Sequence, residues 1–171
     1  WVFQTLWNKD LIYRGTKVVP FSTALGTVLS NFEASSNYQD VQDPSVIVLF
    51  KLQDEAVYLA AWTTTPWTLP ANLGLCVGPD IMYVKAKDQD SGKVIILAAD
   101  RFADIASGHN MEIIEEVPAS ELIGASYEPL FPHYHEYSEE GAFRIFAADF
   151  VSTGNGTGIV HAAPAFGEDD Y

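Results

Sequence analysis

Several protein classes require residues that this sequence has little of. One cysteine, Cys76, in 171 residues excludes an internal disulfide and any cysteine-rich zinc centre. Its apolar surroundings, Leu73–Val77, read as those of a buried structural thiol. Basic residues are scarce: nine Lys and Arg stand against 23 Asp and Glu, for a net charge of −14. Phosphate backbones are held by Lys and Arg, so a strong non-specific grip on nucleic acid is not expected. The shortage is uneven. Residues 1–101 carry 10 acids and 8 bases (net −2), and residues 102–171 carry 13 acids and only Arg144 (net −12). Any nucleic-acid contact is expected to be local, around Arg14, Lys17 and Lys51. The acidic half otherwise reads as a solvated face. No apolar run approaches the roughly 20 residues of a membrane-spanning helix, and no signal peptide is visible. No G-x-S-x-G nucleophile elbow occurs, so nothing asks for a covalent mechanism. The glycines Gly154-x-Gly156-x-Gly158 have no following Lys and lead into a strand, which removes the geometry of a phosphate loop. A turn that brings backbone close to a ligand suits them better.

What is present is a composition 48% hydrophobic and 13% aromatic, that of a globular chain with a real core. The expectation is one domain over 1–171, beginning at Trp1 and cut from a longer protein. Helical spacing covers Trp1–Ile12, and Lys17–Phe21 is β-like. Glu33–Asp43 reads as a polar loop. Ser45–Leu52 and Val57–Thr63 form a hairpin, as do Met82–Lys87 and Lys93–Ala98. Leu73–Val77, Met111–Val117, Phe143–Phe150 and Gly158–Ala162 are further strands, with Asn155-Gly156 as a hairpin-type turn before the last. Asp100–Ser107 and Pro118–Leu122 are short helices, and Tyr127–Tyr137 is irregular. Many short strands with few helices imply a mainly β fold with peripheral helices (α+β), a barrel or a sandwich.

The chain is organised around Trp62–Asn72, WTTTPWTLPAN. Pro66 has no N–H and drives Thr65 into extended backbone, so a strand ends here with three hydroxyls in a row beside Trp67 and Thr68. An aromatic wall next to hydroxyls suits a pocket for a small, partly apolar ligand, and equally a strand end with a buried Trp. His133 and His135 share a face in extended backbone, which permits two metal ligands but supplies no third. His161 ends a strand before Pro164, with Glu168, Asp169 and Asp170 following. This is either a polar site able to hold an amine or position a water, or a strand-end His beside a solvated acidic loop.

WTTTPWTLPAN and GTGIVHAAPAFGEDDY (156–171) together resemble the editing insertion of isoleucyl-tRNA synthetases, in the class I aminoacyl-tRNA synthetase family. VVPFSTALGTVLSNFE and DVQDPSV extend the resemblance over essentially the whole chain. The leucyl and valyl relatives typically carry Arg at the place of Thr65 and an acid at that of Trp67. The HIGH and KMSKS signatures of the synthetic site are absent. The resemblance implies a closed β-barrel core and a cytoplasmic hydrolase that removes valine mischarged on isoleucine tRNA, with valyl-adenylate as a further substrate. It implies no aminoacylation by this chain alone. Its partners would be the valyl-tRNA 3′ end and the remainder of the parent synthetase, with no membrane. No metal or cofactor is implied for editing, since ATP and Mg belong to the absent synthetic site.

By the same resemblance, Asp170 pairs with the substrate ammonium, and His161 limits side-chain size. Trp67 lines the valine pocket. Thr63, Thr64 and Thr65 contact the ester and the terminal adenosine. Thr68, Asn72, Gly156, Thr157 and Gly158 join the substrate-binding set. Asp169, adjacent to Asp170, is expected to point elsewhere. An inert module binding the tRNA acceptor end, an interaction domain with an acidic docking face, and a valyl- or leucyl-type editing domain are the competing readings.

Overall fold

A computed structural model of the chain describes residues 1–171, which divide into two compact units, 1–39 and 40–171. The first contains α1 (Val2–Trp7), a hairpin of β1 (Phe21–Ser22) and β2 (Thr27–Val28), and α2 (Asn31–Ala34). Ser30 caps α2 in a capping box: its side chain accepts from the Glu33 N–H, and the Glu33 carboxylate accepts from the Ser30 N–H. These bonds to Ser30 hold the Glu33 carboxyl below its usual range. The spacing predicts a longer helix than α1 and a longer strand than β1. It also places a loop where α2 forms, because the Ser30–Glu33 cap outweighs the polar composition of the segment.

The second unit is built from β3 (Val46–Lys51), β4 (Val57–Thr63), β5 (Gly74–Val77), β6 (Met82–Asp88), β7 (Val94–Ala98), β8 (Met111–Pro118), β9 (Arg144–Ala147) and β10 (Ile159–Ala162). Two short helices, α3 (Phe102–Ile105) and α4 (Ala119–Leu122), lie between strands. One sheet has the order β3-β4-β7-β6-β8, and the other β10-β5-β9. The hairpins β3–β4 and β6–β7 are antiparallel, whereas β4 pairs with β7 and β5 with β9 in parallel. Both sheets contribute to one core, in which Phe50, Leu59, Tyr83 and Ile96 of the larger sheet join Leu75, Val77, Ile145 and Ile159 of the smaller. The architecture is the mainly β fold with short helices that the sequence implies. Its strands hydrogen-bond as two sheets around that shared core.

The Asn155-Gly156 turn joins no hairpin, because β9 and β10 lie on opposite sides of β5. The expected strand Phe143–Phe150 shortens to β9, with Phe143 in left-handed backbone at φ 60° just before it. The irregular stretch Tyr127–Tyr137 runs into a 3₁₀ turn, His135–Glu140.

Gly156 and Gly158 have φ of +70° and +75°, where only glycine is unstrained. A Cβ at 156 would come within 2.7 Å of the Trp62 ring, and one at 158 within 2.5 Å of Ala98 Cβ. The Thr157 carbonyl accepts from Ala98 N–H at 2.8 Å, and the Gly158 carbonyl accepts from Tyr83 O–H at 2.8 Å. The glycine turn thus fastens the start of β10 to the end of β7 and seats Trp62.

Candidate active site

The strand β4 stops at Thr63, as the proline predicts, and Pro66–Ala71 coils into a 3₁₀ helix. The break turns the threonine hydroxyls toward each other. Thr63 Oγ1 accepts from Thr65 N–H at 3.0 Å and lies 3.3 Å from Thr65 Oγ1. Thr65 Oγ1 is 3.5 Å from Thr68 Oγ1, which in turn is 3.0 Å from His161 Nε2 on β10. The Thr68 hydroxyl donates its single hydrogen to the Thr65 carbonyl at 2.8 Å. The His161 Nε2–H is therefore the donor to Thr68, and Nδ1 is left as an acceptor. Nδ1 is buried and has no partner. Burial pushes the imidazole below its ordinary pKa, against the opposing pull of the Asp170 charge. His161 is a neutral, aligned ring with one unused lone pair, a costly arrangement to retain in a merely structural position.

Asp170 reaches the same place from the opposite side. One carboxylate oxygen, Oδ2, accepts from Ala163 N–H at 2.8 Å, which closes the loop that follows β10. A cleft of about 440 Å³ is bounded by Trp62, Thr63, Thr64, Thr65, Trp67 and Thr68 on one side. On the other stand Val160, His161, Ala163, Phe166, Gly167 and Asp170. The cleft combines a hydroxyl row, a neutral imidazole, a half-buried carboxylate and an aromatic wall. These groups have the chemistry to pair with an ammonium beside a small apolar group and to hydrogen-bond a water at the hydroxyl oxygens.

The structure brings Thr63, Thr64, Thr65, Trp67, Thr68, His161 and Asp170 together around this cleft. Asn72 and the Gly156–Gly158 turn are not among its walls. Asn72 is buried, donates to the Gly74 carbonyl at 2.7 Å and accepts from Tyr127 O–H at 2.6 Å. Its polar atoms are spent on joining β5 to the Tyr127 segment. Gly156 acts on the cleft only through the Trp62 ring that packs on it, and buried Thr157 donates to the Ile159 carbonyl at 3.3 Å. Trp62, Val160, Ala163, Phe166 and Gly167 are walls that residue type alone does not single out. For Ala163, Phe166 and Gly167 the phrase AAPAFGEDD was the available signal, since it places them between the candidate histidine and carboxylate.

Asp169 lines a different, larger cleft of about 660 Å³, which Asp170 also touches. Cys76 lies there, buried, with its thiol pushed up to about 11 by desolvation and then by the Asp170 charge. Of the basic residues expected to meet nucleic acid, Lys51 is engaged with Glu128 at 2.5 Å. No group of three or more His, Cys, Asp or Glu side chains is arranged to hold a metal, and no helix is long and apolar enough to cross a membrane.

Solved editing domains share this fold. The crystal structure of GlLeuRS-CP1 superposes with a TM-score of 0.59 at 20% identity, over 71% of this chain and 55% of that one. The editing domain of P. falciparum cytosolic leucyl-tRNA synthetase gives 0.52 at 11% identity, over 64% and 42%. The chain belongs to the class I tRNA synthetases (I, L, M and V), whose family model matches residues 1–161. It is 53% identical to the isoleucine--tRNA ligase of Chlamydia trachomatis serovar L2 and 53% identical to the cytoplasmic isoleucine--tRNA ligase of Mus musculus. It is 50% identical to that of Bdellovibrio bacteriovorus. Each match covers all of this chain and only 14–17% of the relative.

Proposed function

We propose that this chain is a proofreading hydrolase that removes valine esterified to isoleucine tRNA, and that it accepts valyl-adenylate in the same cleft. The observation that carries the reading is the convergence of Asp170, His161 and the Thr63–Thr68 hydroxyls on one cleft of about 440 Å³. The family likeness supplies the substrate class. A water oxygen attacks the ester carbonyl carbon, the bond from that carbon to the ribose oxygen breaks, and a proton passes from the water to that oxygen. Asp170 holds the α-ammonium, the threonines hold the water and ester, and positioning supplies most of the rate.

Such a second site answers a physical limit. One methylene in an apolar pocket discriminates by only about 1–3 kcal/mol, for which isoleucine against valine is the standard example. A cleft that admits valine and clashes with isoleucine multiplies that ratio, since overpacking by a methylene costs a similar ~1–3 kcal/mol. His161, buried and fixed by Thr68, is the wall assigned to that clash.

The test is deacylation of valyl- and isoleucyl-tRNA carrying the isoleucine acceptor. Valine alone should be released, Asp170→Ala should lose most of the rate, and His161→Ala should begin to release isoleucine. Normal valine release by Asp170→Ala would remove the ammonium anchor. Unchanged selectivity in His161→Ala would remove the sieve.

A further inference from the structure

The larger cleft, of about 660 Å³, shares only Asp170 with the candidate active site. Its floor is the outer face of the smaller sheet. Leu75 and Val77 of β5 point into the core, so Gly74 and Cys76, which alternate with them, face the other way. The register sets Cys76 beside Phe146 on β9 and Val160 on β10. A Cβ at Gly74 would lie 2.9 Å from Phe146 Cε2, so the missing side chain lets that ring lie over the strand and form one wall. Tyr137 and Phe150 add further aromatic walls.

The lining combines two kinds of chemistry. Three carboxylates, Glu140, Asp169 and Asp170, belong to it, and no Lys, Arg or His does. None of the three takes part in an ion pair. Asp170 accepts through Oδ2 from Ala163 N–H, and its Oδ1 has no hydrogen bond. The remaining surface is apolar, and Phe146 and Phe150 stay 45% and 46% exposed on it. At the floor, Cys76 is only 6% exposed and its thiol makes no hydrogen bond. A soft, polarisable atom thus borders the cavity without a partner.

We propose that this cleft binds a small organic cation with an apolar body, a hydrophobic amine. The body lies against the Phe146 and Phe150 rings above the Cys76 thiol, and the ammonium meets the carboxylates. Each part of the cleft fits that class. Its volume is that of a small-molecule pocket. Aromatic faces attract a cation as well as apolar surface. Three carboxylates with no base among them repel an anion and form charge-assisted bonds with an ammonium. Asp170 gives the site a consequence, which rests on the hydrolase reading. The carboxylate assigned to the substrate ammonium also lines this cleft, so an amine here competes for the same charge and weakens substrate binding in the adjoining cleft.

The test is an NMR titration of the protein with 4-phenylbutylamine, and with 4-phenylbutanol and 4-phenylbutyrate as its neutral and anionic counterparts. The amine should shift the methyl resonances of Ala147 and Ala148, which line this cleft and not the other. The alcohol should bind about 5-fold more weakly, and the carboxylate not at all. Phe146→Ala should weaken amine binding about 2- to 30-fold. Asp169→Asn, at an exposed position, should weaken it about 2- to 5-fold and leave alcohol binding unchanged. No amine shift at Ala147 and Ala148, equal affinity for the three compounds, or parent-like amine affinity in both variants would overturn the site. Amine shifts confined to Thr65 and Trp67 would overturn it too, by placing the amine in the candidate active site. Valine release is measured on the same samples, and the amine should raise KM for the valyl ester. Shifts at Ala147 and Ala148 with an unchanged KM overturn the competition alone, and the same shifts without any valine release overturn the hydrolase reading alone.

Discussion

Asp170 owes its position to an absent side chain at Gly167, just before the acidic residues that draw the eye. A Cβ at Gly167 would lie 2.4 Å from Asp170 Oδ2 and 2.6 Å from its Cγ. Gly167 is not among the glycines with positive φ, so the requirement is for space rather than for backbone freedom. Gly167→Ala should push the carboxylate off the Ala163 N–H and leave the strands intact. A displacement of about 1 Å at such a contact costs up to about 100-fold in rate. The expected result is a fall of about 10- to 100-fold in kcat/KM for the valyl ester, with no further loss when Gly167→Ala is added to Asp170→Ala. Deacylation kinetics of the four proteins check this. A loss that adds in full to that of Asp170→Ala would mean that Gly167 acts by another route. The preference for Asp170 over Asp169 came from the family resemblance, and in the structure Asp170 lines both clefts whereas Asp169 lines only the larger. The need for Gly167 was not legible from sequence, since nothing in F-G-E-D-D says which atom fills the space above the glycine.

Among the elements, the two hairpins β3–β4 and β6–β7 were readable because each pairs neighbours across a short turn. The parallel pairings β4–β7 and β5–β9 were not, since no local pattern states which distant strand a given strand joins. Asn72 shows the same limit at a strand end. It stands beside the Thr-Pro-Trp motif and reads as part of it, yet it follows the 3₁₀ helix and points into the protein. There it joins β5 to Tyr127, whose ring packs edge-on to Phe50 at 5.3 Å and to Phe143 at 6.1 Å. Asn72→Ala should destabilise the protein by about 1–3 kcal/mol, the cost of leaving a buried partner unsatisfied. Tyr127→Phe removes the same bond from its other end, so the double variant should cost less than the sum of the two. Urea unfolding measures all three. A raised KM in Asn72→Ala with unchanged stability would return Asn72 to the substrate-binding set.

Over the whole molecule, acids outnumber bases by 23 to 9, and the charge is concentrated in residues 102–171. The ion pairs of Lys51 with Glu128, Lys85 with Glu55 and Glu115, and Arg101 with Asp104 have partners open to solvent, where such pairs contribute little. Repulsion among the remaining carboxylates therefore dominates, and salt should stabilise the protein by screening it. Raising KCl from about 0.01 to 0.15 M shortens the screening length from roughly 30 to 8 Å. The expected rise in Tm is about 2–4 °C, equivalent to about 1 kcal/mol for a chain of this size. A Tm that falls with salt would show that the ion pairs outweigh the repulsion. The hydrogen bond between Thr68 and His161 crosses 93 residues of chain, and the Ala163 N–H that fixes Asp170 lies beyond β10, the last strand to be made. During synthesis the chain emerges from its N-terminal end. The threonine row is thus exposed to the cell well before the histidine and the carboxylate exist. A ribosome that has released the threonines and not yet residue 170 displays the front wall of the cleft with nothing behind it, so the cleft is completed abruptly, after residue 170 has emerged and docked.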